Sequence, residues 1–380
     1  MNYRILLVGG GTGGHIYPLI AVGRELQKIA GEKGVNLELT AVADSNSWRS
    51  EFENSSIKFK RIFTPKLRRV KGGRINLLAL LAIPVTLIQT FWILFVFMPD
   101  LVFSKGGFAS FIPTFIAALY FIPVFVHESD SVPGTVNQFT AKFAKRVFIF
   151  FENASKYFPV SKTVLTGNPI RDNLLVGKKA EAAKYFNLRP DRKTVLFLAG
   201  SQGAMFINNL LIEALVQLTK EFQIIHQTGT NNFESVKKET EGIKNEGHGS
   251  YGENIEKNYQ VYGFLNEEEL KNAFAMSDVV VSRAGSNIFE IAALGKPAIV
   301  IPYPYSAGNH QKANAIEFAK FGAVVLEEQN LKPHILINQI KRLINNPSVG
   351  EKIKQFAKLD AGEIIARELM SNVKIQMSNQ

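Results

Sequence analysis

Three short glycine-rich runs stand out as sites where backbone N–H groups could do the chemistry. Residues 9–15 read GGGTGGH, residues 105–110 read KGGFAS and residues 200–204 read GSQGA. Glycine has no side chain to hold a ligand away from the backbone, and a helix N-terminus behind such a turn favours negative charge. Each run is expected to follow a strand and open a helix. One such turn alone is a tight connection; three suit a ligand with more than one phosphate. Gly9, Gly11 and Gly14 also satisfy the G-x-G-x-x-G pattern of dinucleotide binding. That pattern wants an acidic residue about 20 positions on, to take a ribose. Asp44 comes 30 residues after Gly14, and His15 is foreign to the fingerprint.

Polar residues gather near the expected strand ends. Arg171 closes VLTGNPIR, where it is either a surface charge or a clamp on a diphosphate. Glu290 closes SRAGSNIFE and falls in the first turn of a helix, either capping it or accepting both hydroxyls of a ribose. His127 and Glu128 end a strand, and residues 308–311 (GNHQ) open another helix. The chain has no D-x-D pair, H-E-x-x-H, H-x-x-x-H, G-x-S-x-G or P-loop, and no cysteine. No metal site or cofactor is therefore expected, and thiol chemistry is excluded.

Short apolar runs alternating with helical stretches predict an α/β architecture of parallel sheets with crossover helices. Strands are expected at 3–8, 37–43, 58–63, 100–104, 124–127 and 146–150. A second set is expected at 194–199, 222–227, 260–262, 278–282, 298–302 and 323–326. Each set makes one doubly wound sheet, giving Rossmann-like domains over 1–167 and 168–350 that face across a cleft. Residues 351–380 read as a polar helical segment packing back on the first domain, and 241–258 as a surface loop.

Hydrophobic residues make up 46% of the 380 and charged residues 20%, the balance of a folded chain with a large core. A net charge of +11 favours anionic partners: nucleic acid, phosphorylated metabolites or a membrane surface. Residues 1–4 run straight into four apolar residues and then glycines, too short for a secretory core, so a cytosolic protein is expected. Residues 66–74 hold five basic residues in nine, and the next 25 carry no charge. That length matches a membrane span, but Pro84 and several polar residues interrupt it. The favoured reading is an interfacial element, with basic residues on lipid phosphates and Leu77, Leu78, Leu81, Phe91 and Trp92 in the acyl boundary. A purely buried crossover is the rival.

Together the motifs closely resemble the MurG family, the undecaprenyl-diphospho-muramoylpentapeptide β-N-acetylglucosaminyltransferases of peptidoglycan synthesis. GGTGGH, KGG, PGTVNQ, TGNPIR, GSQGA, SRAGSNIFE and NHQKANA fall in the family's order and spacing over nearly the whole chain. The resemblance implies a GT-B fold and an inverting transfer of GlcNAc from UDP-GlcNAc to lipid I, giving lipid II. It also implies peripheral attachment to the cytoplasmic face of the plasma membrane, with no nucleic acid as partner.

By the same resemblance, Thr12, Gly13 and Gly14 face the donor and the reacting centre, and Gly106 and Gly107 take the acceptor diphosphate. Arg171 and Ser201 contact the donor diphosphate and uridine side, and Leu265 lies against the uracil. Ser286, Asn287, Ile288, Phe289 and Glu290 bind the diphosphate and ribose, and Gln311 the GlcNAc hydroxyls. His15 and Glu128 are the two candidates for the general base. Many members carry His-Glu-Gln-Asn where this chain has His127-Glu128-Ser129-Asp130, so the amide contact made there falls to Asp130; Asn137 is a further candidate. The segment 283–290 is one residue shorter than in many relatives. Two other readings share parts of this pattern: a related GT-B transferase with another glycolipid acceptor, and an NAD-dependent Rossmann oxidoreductase.

Overall fold

The computed structural model describes residues 2–64, 77–200, 203–246 and 250–377. The chain divides into two compact units: residues 1–170 with 359–380, and residues 171–358. The division falls three residues past the expected break, and the C-terminal piece that joins the first unit is shorter than the expected 351–380.

In the first unit the strands are β1 (Asn2–Gly9), β2 (Asn36–Ala43), β3 (Lys58–Arg61), β4 (Leu101–Gly106), β5 (Val124–Glu128), β6 (Arg146–Ile149) and β7 (Thr163–Leu165). They form one seven-stranded sheet in the order β3-β2-β1-β4-β5-β6-β7, every pairing parallel. The connecting helices are α1 (Gly13–Glu32), α2 (Arg49–Glu53), α3 (Leu77–Phe97), α4 (Phe111–Leu119) and α5 (Thr135–Thr140). Ile5, Leu6, Leu7 and Val8 are all buried, although alternate residues point to opposite faces. Both faces are therefore covered, which is why the central strands read as unbroken apolar runs. The strand at β7 was not expected; it has three residues, none of them buried.

In the second unit the strands are β8 (Thr194–Leu198), β9 (Gln223–Gln227), β10 (Tyr259–Tyr262), β11 (Val279–Ser282), β12 (Ala298–Val300) and β13 (Val324–Val325). Their order is β10-β9-β8-β11-β12-β13, again all parallel. Its helices are α6 (Lys179–Tyr185), α7 (Met205–Glu221), α8 (Phe233–Glu246), α9 (Ser250–Asn258), α10 (Glu267–Met276), α11 (Asn287–Ala293), α12 (His310–Ala319), α13 (Pro333–Ile344) and α14 (Val349–Lys354). The expected loop at 241–258 is largely helical. Its polar composition hides an apolar face: Ile255 is in the core and Ile243 packs against it. Surface pairs such as Lys257–Glu253 and Lys244–Glu256 cover the outside. The last helix, α15 (Ala361–Met377), packs on α1 and is not polar throughout, since Ile365, Ala366, Leu369, Met370 and Val373 are buried.

Helix α3 corrects the idea of a purely buried crossover. Thr86, Thr90, Ile93, Leu94 and Phe97 face inward, while Ile88, Phe91, Trp92, Phe95 and Val96 are exposed, Ile88 at 72% and Trp92 at 63%. The apolar surface continues over the end of α4 through Leu119 and Phe121. The basic run at 66–74 and the side chains of Leu77, Leu78 and Leu81 lie outside the described residues. Among the described residues, no helix is long and apolar enough to cross a membrane.

Candidate active site

In an open parallel sheet the strand order reverses at one point, and ligands bind there at the strands' C-terminal ends. In the first unit that point lies between β1 and β4, and Gly9 pairs with Gly106 across it. The turn at 9–14 and the turn at 105–107 are thus neighbours. A Cβ on Gly10 would lie 2.7 Å from Ala109 Cβ, and one on Gly107 would lie 2.8 Å from Gly10 O and 3.2 Å from the His15 ring. Gly106 and Gly107 also adopt left-handed φ of 89° and 83°, so side chains are excluded on both counts. Asp44, at the end of β2, accepts the Gly11 N–H at 3.1 Å. The carboxylate that a dinucleotide would need for its ribose is spent on shaping the glycine turn.

His15 sits in the first turn of α1, where no acidic side chain offsets the helix end, and Thr12 is the N-cap. Its Nδ1 lies 2.9 Å from Gly10 O, a carbonyl that only accepts, so Nδ1 carries the proton and Nε2 the lone pair. Burial, then the Lys105 charge, lower its pKa to about 4; Asp130, the Gly10 bond and Asp44 oppose them. The imidazole is therefore neutral at physiological pH with its basic nitrogen unprotonated.

Glu128 is differently placed. Its Oε1 accepts the Asp130 N–H at 2.8 Å, and its Oε2 accepts the Gly134 N–H and the Asn137 amide, both at 3.0 Å. Burial and the Asp130 carboxylate push its pKa up, against Lys105 and these bonds. Asn137 also donates to His127 O, so its amide holds the loop after β5 in shape. His127 is buried, and its Nε2 donates to Gly167 O at 2.7 Å, tying β5 to the TGNPIR stretch. Lys105, 1% exposed, donates to Ser129 Oγ at 2.8 Å and faces Glu128 and Asp130.

In the second unit the order reverses between β8 and β11. Gly200 and Gly203 adopt left-handed φ of 76° and 81°, and a Cβ on Gly203 would meet Thr228 O at 2.8 Å. Ser201 lies outside the described residues. The turn after β11 leads through Ser286 into α11, and Ser286 makes no side-chain cap. Ile288 and Phe289 are buried, Phe289 stacking on Phe356, so their side chains belong to the core, and their N–H groups donate to Gly285 O and Ser286 O at 3.2 and 3.3 Å.

Arg171 and Glu290 form one unit: Nε and Nη2 donate to the two carboxylate oxygens at 2.8 and 2.9 Å, both side chains buried. Glu290 is thus not merely a helix cap, and the Arg171 guanidinium is engaged by a carboxylate. Leu265 is buried, and its N–H donates to Gln227 Oε1 at 3.1 Å. Gln311 accepts the Tyr303 N–H through Oε1 at 2.9 Å, which orients its amide NH₂ away from that strand end. In the interior of the second unit, Tyr259 O–H donates to His226 Nδ1 at 2.9 Å. His226 Nε2 donates to Asn208 Oδ1 at 3.0 Å, and Asn208 to Thr228 O at 3.1 Å.

Sequence reasoning finds the turns but misses three partners and one pairing. Asp44 was set aside for its spacing, Lys105 was read only as the first letter of a motif, and Gln227 was not considered. The Arg171–Glu290 pair spans 119 residues, so no local pattern announces it.

A model of the glycosyltransferase family 28 N-terminal domain matches residues 5–149, and one of its C-terminal domain matches residues 194–367. A "UDP-N-acetylglucosamine–N-acetylmuramyl-(pentapeptide) pyrophosphoryl-undecaprenol N-acetylglucosamine transferase" of Geobacter metallireducens is 35% identical, over 97% of this chain and 98% of that protein. A relative of the same description from Flavobacterium psychrophilum is 33% identical over 99% of this chain and 100% of its own. Among solved structures, MurG of Acinetobacter baumannii superposes with a TM-score of 0.67 at 23% identity, covering 97% of this chain and 99% of that one. A UDP-GlcNAc 2-epimerase of Neisseria meningitidis gives 0.68 at 17% identity, with 97% of this chain and 100% of that one covered. These two likenesses speak for the GT-B fold. The two family matches and the relatives identical at a third of positions over nearly full length speak for more: the chain belongs to glycosyltransferase family 28.

Proposed function

We propose that this enzyme moves GlcNAc from UDP-GlcNAc to the muramoyl 4-hydroxyl of an undecaprenyl-diphosphate-linked MurNAc-pentapeptide, with inversion at the anomeric carbon. The observation that carries the reading is His15. It is a neutral imidazole with a free Nε2, at a helix N-terminus and against the 106–107 turn. His15 takes the proton of the acceptor hydroxyl as its oxygen attacks the anomeric carbon and the bond to UDP breaks on the opposite face. Glu128 fits the base role less well, because backbone and amide donors fix both its oxygens. Thr12, Gly13 and Gly14 serve the donor and the reacting centre, and the Gly107 N–H suits the acceptor diphosphate, while that of Gly106 donates to Ser104 Oγ at 3.2 Å.

The donor falls to the second unit. The backbone of the 200–204 turn and the start of α11 offset the charge that grows on the leaving UDP. Glu290 accepts the ribose hydroxyls while Arg171 holds it in place, and each carboxylate oxygen keeps a lone pair for that purpose. Gln311 donates its amide to sugar hydroxyls and Leu265 packs on the uracil, and the family likeness gives Ser201 a part on the diphosphate and uridine side. The exposed face of α3, with the basic residues at 66–74, attaches the enzyme to anionic lipid on the cytoplasmic face of the membrane, where a polyprenyl-linked acceptor must stay.

Thermal denaturation tests the donor class. UDP and UDP-GlcNAc raise the melting temperature at micromolar concentration and NADH does not; stabilisation by NADH alone contradicts the reading.

A further inference from the structure

We propose that Lys105 is a positioning residue of the first unit's site, acting on the reaction through His15 rather than by touching substrate. At 1% exposure its ammonium cannot reach a bound molecule. A lysine is rarely buried this completely without a carboxylate to meet it. Here β4 and β5 are adjacent strands, and the ammonium at the end of β4 is received by Ser129 Oγ and faces Glu128 and Asp130 beyond the end of β5. The 106–107 turn that follows Lys105 is pressed against the imidazole of His15 and against Gly10 O, its hydrogen-bond partner. A role in packing alone would be filled by Met. The ammonium instead balances the buried Glu128 carboxylate and the half-buried Asp130 while leaving a positive charge beside the proposed base.

The groups facing His15 come from four elements. Its own turn gives Gly10 O and Thr12, the loop after β2 gives Asp44, β4 gives Lys105, and the loop after β5 gives Asp130. Lys105 opposes protonation of the imidazole, while Asp130 and Asp44 favour it. Removing Lys105 and removing the Asp130 charge must therefore act in opposite directions, which no general loosening of the fold would produce.

The proposal rests on the reading of His15 as the base, but its first test needs no substrate. Ring resonances of His15, assigned by their loss in His15→Gln, are titrated in the full chain. In Lys105→Met the midpoint rises from about 4 toward 6.5. In Lys105→Arg it stays at the wild-type value, and in Asp130→Asn it falls further. The acidic limb of kcat/KM moves in the same order, so Lys105→Met loses activity at pH 5 relative to pH 8. An unchanged midpoint in a folded Lys105→Met overturns the proposal. So does an even loss of kcat/KM at every pH with a raised KM for acceptor, which marks a direct contact. Where Lys105→Met does not fold, an unchanged midpoint in Asp130→Asn overturns it equally. If the wild type transfers no sugar to any acceptor, the functional reading falls while the titration still stands.

Discussion

The two units share one strand order and one placement of glycine turns, yet their polar residues are organised differently. The first gathers charge: Lys105, Glu128, Asp130 and His15 lie within one network at the β1–β4 reversal. The second pairs its charges off, Arg171 to Glu290 and Arg283 to Glu328. An acceptor hydroxyl has to lose a proton, so its unit needs a tuned titratable group. A nucleotide donor needs only to be held and its leaving charge dispersed, for which N–H groups and a fixed carboxylate suffice. Equal folds with unequal electrostatics are what a division into acceptor and donor units predicts.

The largest expected effect breaks the comparison on the first side. His15→Ala lowers kcat by about 10²–10⁴, leaves UDP affinity unchanged and moves the melting temperature little. A kcat within threefold of wild type hands the base role to Glu128. The mirror-image change on the second side is Arg171→Met, which strands the buried Glu290 carboxylate. Breaking a buried pair costs about 3–5 kcal/mol, so this variant loses stability and donor affinity together. Comparable melting temperatures for the two variants would erase the distinction drawn between the units. Glu290→Gln keeps the shape and separates the roles. UDP binding weakens roughly 10- to 100-fold from loss of a charged acceptor to ribose, and unchanged UDP binding limits Glu290 to bracing Arg171.

A smaller effect concerns pH. Burial lowers His226 to about 3 and His15 to about 4, so the unfolded chain binds more protons than the folded one below pH 6.5. The contribution of these two sites rises with pH up to about 6.5 and is lost below it, by at most about 1.4 kcal/mol per unit for each, while the raised pKa of Glu128 acts in the opposite direction. Chemical denaturation from pH 4 to 7 shows this slope, and His226→Phe flattens it for the second unit. The slope persisting unaltered in that variant assigns it elsewhere. Smallest is the membrane effect: Phe91→Ser with Trp92→Ser weakens sedimentation with anionic vesicles several-fold and leaves the melting temperature nearly unchanged, because both rings are half exposed or more. Retained sedimentation with a collapsed melting temperature returns α3 to a purely structural role.

The strands and their direction were legible because buried parallel strands are continuous apolar runs, and glycine must stand wherever two turns touch. Residues 241–258 misled because their burial rests on two isoleucines among charges. At the site, residue types at strand ends were readable, but their pairings were not. Arg171–Glu290 and Gly11–Asp44 are set by which strands become neighbours, a property of the whole sheet. Ile288 and Phe289 show the same limit from the other side, since a motif does not say which of its residues face inward.

The most direct measurement follows labelled GlcNAc from UDP-GlcNAc in the presence of a short-chain lipid I analogue. The account predicts label in a β-1,4-linked disaccharide on the acceptor and one UDP released per transfer, lost in His15→Ala. Label that stays on the nucleotide as an epimerised sugar, or is freed into water with the acceptor unchanged, would contradict it.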